Sequence, residues 1–244
     1  MVGPMIHRWL TRSDLAALVH EIARTNPAAA VDAARDLDDG AIDALLDSPA
    51  ALDAVRGRGG APAALPLTLL WYIPVRAALR AAGENDIDLA DFTATIPITF
   101  VSSRATRLAG SKEPGLHVWT AVIGALPSGT VAQAERAAYC ASLALWWAGC
   151  FPERIERTGG QGMLRAYGDF AAATLSQASR ILSQLAPERS RLYAHAADRR
   201  EALVGALDET RKDYLGRGAH SADERLRRFL DRIESDFDQG ADAA

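Results

Sequence analysis

Histidine, cysteine and carboxylate spacing decides first whether this chain can hold a metal or run a nucleophilic reaction. The five histidines, His7, His20, His117, His195 and His220, stand far apart. None forms the His-x-x-x-His or Glu-x-x-His pair that would set two ligands on one helix face, so no metal site is expected. His20 and Glu21 are neighbours, point about 100° apart on a helix, and make poor joint ligands. Cys140 and Cys150 are the only cysteines. On one helix, rising about 1.5 Å per residue, they would lie roughly 15 Å apart, beyond disulfide reach. Two free thiols in an apolar stretch read as small core residues in a reducing compartment. No Gly-x-Ser-x-Gly elbow occurs, and GRGG (57–60) and GGQG (159–162) lack the lysine and preceding strand of a nucleotide loop. The acidic groups Asp36, Asp38 and Asp39, then Glu84, Asp86, Asp88 and Asp91, depart from EF-hand spacing and precede helices. Carboxylates there stabilise the helix dipole by about 0.3–1 kcal/mol. No catalytic residue and no cofactor are expected.

What remains is a set of charges and aromatic rings. CASLALWWAGCFPERIERTGGQG (140–162) holds Trp146 and Trp147 side by side, then a Pro-Glu-Arg corner on which Glu153 and Arg157 stand one helical turn apart. Neighbouring tryptophans on a helix point about 100° apart, so both are buried only where the helix is crowded on two sides. Arg76 follows Pro74 inside an apolar run and must either snorkel or meet a carboxylate such as Glu153 or Asp91. Arg76, Asp91, His117, Trp146, Trp147, Glu153, Arg157 and Tyr167 form the candidate ligand-binding set, charged anchors beside aromatic walls. The same residues also read as a structural ion pair over an aromatic core.

The elements that carry them are helical throughout. Ala and Leu dominate, apolar residues recur three and four apart, and strand-like alternation is scarce. Ser13 can cap a helix with Leu15, Leu18, Val19 and Ile22 on one face, closed by Asn26-Pro27. Two short helices follow, over 27–37 and 40–46, and Ser48-Pro49 starts a third. GRGGAPAALP (57–66) has no apolar period and reads as a linker. Residues 67–82 are apolar nearly all round, and Pro74 must kink or restart that helix; the next, capped by Asp86 or Asp88, carries Leu89, Phe92, Ile96 and Phe100 at helical spacing, with Pro97 a second kink. Further helices are expected over 116–126, 131–150, 163–185 and 187–215, with a last amphipathic one capped by Ser221. The expected fold is an all-α, irregular multi-helix bundle with proline-kinked core helices. Its organisation would be a short-helix subdomain (1–56), the linker (57–66) and a main bundle (67–240), which together can form one domain.

The 244 residues are 49% hydrophobic and 24% charged, ordinary usage for a folded globular chain. A net charge of −4 supplies no field to attract a phosphate backbone, which argues against nucleic acid. Of 27 basic residues only Lys112 and Lys212 are lysine, a skew expected of a GC-rich bacterial genome. The N-terminal MVGPMIHRWLTRSDL contains no continuous apolar core of a secretory leader, and no apolar run is long enough to span a bilayer. A cytoplasmic, soluble protein is expected.

LPLTLLWYIPVRAALRAAGENDIDLADFTATI and LALWWAGCFPERIERTGGQGMLRAYGDFAAATLSQAS resemble a widespread bacterial family of uncharacterised all-helical proteins, over about residues 65–185. In that family a Y-x-x-V-R-x-x-L helix leads into L-A-D-Y, and an L-F-x-x-G-x-F-P-E run leads into a Y-Y…G…A-Y helix. The matching positions are Tyr72, Val75, Arg76, Leu79, Leu89, Ala90, Asp91, Gly149, Phe151, Pro152, Glu153, Tyr167 and Gly168. Phe92 replaces the family's tyrosine, and Gln177-Ala178 fall near its second one. The resemblance implies an all-helical fold and carries no activity.

Helical faces are plentiful and catalytic constellations absent, so the function expected is a non-enzymatic interaction or adaptor module that self-associates into a homodimer or docks a protein partner. The face expected to serve is the C-terminal helix pair, with Leu192, Leu203 and Leu207 on one side and Arg199, Arg200 and Glu201 on the other. The rival is a small-molecule-binding protein or enzyme, with a pocket near the kinked helices and the Pro152-Glu153-Arg154 corner.

Overall fold

In the computed structural model, which describes residues 10–38, 40–56, 65–101, 116–160 and 162–215, every regular element is a helix. The described residues contain twelve: α1 (Arg12–Thr25), α2 (Pro27–Asp38), α3 (Ile42–Leu46), α4 (Pro49–Val55), α5 (Leu67–Ala81), α6 (Ile87–Val101), α7 (Leu116–Gly124), α8 (Val131–Cys150), α9 (Pro152–Gly159), α10 (Met163–Leu182), α11 (Pro187–Asp198) and α12 (Arg200–Leu215). The GRGG stretch, Asp39, His7, His220 and the helix expected after Ser221 lie outside the described residues.

The chain divides into two compact units, which part between Thr95 and Ile96 inside α6. The boundary expected at 57–66 falls within the first unit, because α4 and α5, on either side of that stretch, pack together.

In the first unit α1 packs on α2 and α4, and buries Leu15, Leu18 and Ile22. Its cap is Thr11 rather than Ser13. The Thr11 hydroxyl accepts from the Asp14 backbone N–H while the Asp14 carboxylate accepts from Thr11 N–H, a reciprocal pair that Ser13, already inside the helix, cannot make. Ser48 caps α4 by accepting from Ala51 N–H at 3.0 Å, with Pro49 in the first turn. Asp86 accepts from Leu89 N–H and so starts α6.

Both α5 and α6 continue through their prolines. Each proline removes one N–H from the ladder. In α6 the nearby Thr93 and Thr95 hydroxyls turn inward and donate to the Leu89 and Asp91 carbonyls, which keeps these buried groups bonded.

The second unit is organised on α8, which packs on α7, α9, α10 and α12. The alanines of α8 at 134, 137, 138, 141, 144 and 148 are buried on several sides, which lets neighbouring helices approach closely. Thr130 caps α8, and Gln133 reaches back to accept from Gly129 N–H. The single helix expected over 187–215 is two. Asp198, Arg199 and Arg200 offer nothing apolar to bury, and Arg199 closes α11 through its N–H to the His195 carbonyl before α12 begins. The break lets α11 lie on α10, tied by Ser190 donating to the Ser179 carbonyl, while α12 lies on α8 and α10.

Candidate functional site

The candidate residues divide between the two units, and each unit holds a buried arginine gripped by acids; the second adds two groups of aromatic rings. In the first unit Arg76 (α5) is buried. Its partners are neither Glu153 nor Asp91. Asp47 forks the guanidinium through Nε and Nη2, the latter at 2.7 Å, and Asp43 accepts from Nη1 at 3.0 Å. The Tyr72 hydroxyl accepts from the same Nη1 at 2.7 Å. Asp47 also pairs with Arg80 at 3.0 Å. Two acids four apart on and just past α3 thus meet two arginines four apart on α5. The matched spacing was the available signal, but nothing local in sequence pairs segments about thirty residues apart. Burial disfavours the Arg76 cation, yet the Asp47 and Tyr72 hydrogen bonds outweigh it and raise its pKa. Asp91 is buried in α6, and its charge adds to the burial that pushes the Tyr72 phenol up.

In the second unit Trp146 and Trp147 are both buried, each 1% exposed. Phe151 serves both, with ring centroids 5.5 Å and 5.1 Å away, and Phe100 reaches Trp146 from α6 at 6.3 Å. The Arg154 guanidinium covers Trp147 at 5.2 Å. The Pro-Glu-Arg corner therefore folds back over the rings as a cover of one turn. Glu153 reaches away from them, to Arg211 of α12, at 3.1 and 2.9 Å. Arg211 is buried and also donates to Asp208 at 2.6 Å. Arg157 and His117 lie on the surface.

Sequence patterning alone did not single out Arg211, although a signal is there. Leu203 and Leu207 mark the inward stripe of α12, and Arg211 continues it four residues on, a charge at a core position. The same stripe corrects the expected docking face: Leu192, Leu203 and Leu207 are core, and only the charged side, with Arg199 and Glu201, is exposed.

Tyr167 (α10) forms the other ring group. Its ring is wholly enclosed and meets Trp119 of α7 edge-on at 5.6 Å, and Trp119 also packs on Phe170 at 5.8 Å.

Cys140 and Cys150 are free and buried, and burial raises both thiols, Cys150 strongly. Among the described residues no group of three or more His, Cys, Asp or Glu is placed to hold a metal ion, and no helix is long and apolar enough to cross a membrane. Burial also raises the phenols of Tyr72, Tyr139 and Tyr193. Each of these acids has a folded pKa above its unfolded one, so it contributes stability below the unfolded value and loses it as pH climbs through the folded one. Stability should hold through neutrality and fall above about pH 9, by up to about 1.4 kcal/mol per pH unit for each group. Urea titrations at a series of pH values from neutral to about pH 10 check this. Ellman's reagent should find no reactive thiol at neutral pH until the chain unfolds.

No family model matches the chain, and no curated protein or solved structure matches it.

Proposed function

We propose that the protein is a helical interaction module of a bacterial cytoplasm, related to the family its motifs resemble, that self-associates rather than catalyses a reaction. The observation that carries this reading is the outward face of α7. Trp119 and Ile123 hold this helix inward, while Val118 and Val122, one turn apart, remain 40% and 38% exposed with Ala121 between them. An apolar stripe on a short helix is the pattern by which helices dock on one another. The buried cations support the reading too. Arg76 and Arg211 have their donors engaged by acids of the chain itself, so neither stands ready for an anionic substrate. The free buried thiols suit a reducing cytoplasm, and the scarcity of lysine suits a GC-rich bacterium.

The test is the native mass over a dilution series, for the wild type and for the double substitution Val118→Asp, Val122→Asp. The wild type should pass from dimer to monomer on dilution. The variant should stay monomeric with its stability within about 0.5 kcal/mol of wild type, as expected for exposed positions. A wild type that is monomeric throughout, or a variant that dimerises equally well, defeats the reading.

A further inference from the structure

Among the described residues three tyrosine rings are essentially sealed from solvent: Tyr72, Tyr167 and Tyr193. Two of them have an arginine for their hydroxyl. Arg76 donates to Tyr72 at 2.7 Å, and Arg189 serves Tyr193. The third differs. The Tyr167 hydroxyl is buried and has no hydrogen-bond partner among the described residues. A sealed hydroxyl without a partner is a cost that phenylalanine, of the same shape, would avoid.

The element above it is lightly fastened. Only Trp119 and Ile123 of α7 are buried, and no α7 side chain makes a hydrogen bond or ion pair to another described helix. The contacts that close α7 over Tyr167 are ring against ring, through Trp119 and Phe170. Apolar contacts of this kind have no direction and can re-form around a guest. The hydroxyl then offers a polar contact in an aromatic setting.

We infer that Tyr167 is the hydrogen-bonding anchor of a small-molecule site between α7 and α10, which takes a flat, mainly hydrocarbon ligand carrying one acceptor oxygen. The rings of Trp119 and Phe170 wall the body of the ligand, and the phenol donates to its oxygen. This assignment stands whether or not the outer face of α7 mediates self-association.

The probe is acetophenone, an aromatic ring with one carbonyl, compared with ethylbenzene, which has nearly the same shape and no oxygen. Binding is followed by saturation-transfer NMR and by chemical-shift titration of the full-length protein. Wild type should bind acetophenone saturably, and ethylbenzene about tenfold more weakly, because a site that donates a hydrogen bond discriminates against an analogue that cannot accept it. Tyr167→Phe should bind the two alike, and its unliganded melting temperature should equal or exceed that of wild type. Absence of saturable acetophenone binding to wild type overturns the assignment, as does an undiminished preference for acetophenone in Tyr167→Phe. A lower melting temperature for unliganded Tyr167→Phe also overturns it, since the hydroxyl would then be satisfied already, by a buried water.

Discussion

Replacing Asp47 by alanine should destabilise the fold by about 3 kcal/mol, and by more than replacing Arg76 itself. The usual range for stranding one partner of a buried ion pair is about 3–5 kcal/mol. The Arg76 side chain is 7% exposed, whereas those of Asp47 and Asp43 are 23% and 52% exposed. Removing Asp47 leaves a sealed guanidinium with Asp43 and the Tyr72 hydroxyl, both on Nη1, and takes the partner of Arg80 as well. Asp43 and the partial access of water place the effect at the lower end of the range. Arg76→Met instead removes the buried charge together with its desolvation cost, and the two acids, nearer the surface, regain water. Its cost should be about 1–2 kcal/mol, mostly the Tyr72 hydroxyl left without its donor. Urea unfolding followed by circular dichroism compares the two at equal slope. An Arg76→Met loss as large as that of Asp47→Ala would mean that the pair's mutual attraction, rather than the stranded cation, sets the energy.

This asymmetry bears on what a single sequence can disclose. The helices were legible where the signal is local: Ser48-Pro49 opens α4, Asp86 caps α6, and the apolar run around Trp146 and Trp147 is buried as its crowding required. The candidate site was legible only in part. That Arg76 needs an acid follows from its apolar surroundings, but which acid depends on how α3 is carried onto α5, a long-range pairing that leaves no local pattern. The break at Arg199 has the same origin. Helix propensity runs unbroken from Pro187 to Leu215, and the turn exists because Ser190 must face α10 while Leu207 faces α8. Leu192, Leu203 and Leu207 share an apolar pattern in the sequence, yet periodicity alone cannot distinguish a face that docks a partner from one that closes the core. Tyr167 is the converse case. Its type and spacing drew notice, but the unpartnered hydroxyl that makes it informative is a property of the folded chain.

A close approach between helices in the second unit yields the other large effect. At Gly149, in the last turn of α8, an added Cβ would fall against the Cβ of Leu207 and within 3.1 Å of its Cδ1. The obstructing Cβ is fixed to the α12 backbone, so a rotamer change at Leu207 does not relieve the clash; one helix must move. Overpacking of this kind costs about 1–3 kcal/mol, occasionally more. Here the displaced helix also carries Arg211, whose bonds to Glu153 at 3.1 and 2.9 Å depend on α12 keeping its distance from the α8–α9 corner. Packing and charge therefore fail together, and Gly149→Ala should lose about 3 kcal/mol or more. Glycine to alanine within a helix ordinarily gains about 1 kcal/mol, so the sign itself is diagnostic. The second signature is chemical. Cys150, next in sequence and buried between the same helices, should become reactive to Ellman's reagent at neutral pH in Gly149→Ala while the wild-type thiol stays silent. A stabilised Gly149→Ala with an unreactive Cys150 would show that α8 and α12 have room to spare, and that the Arg211 fork alone fixes α12.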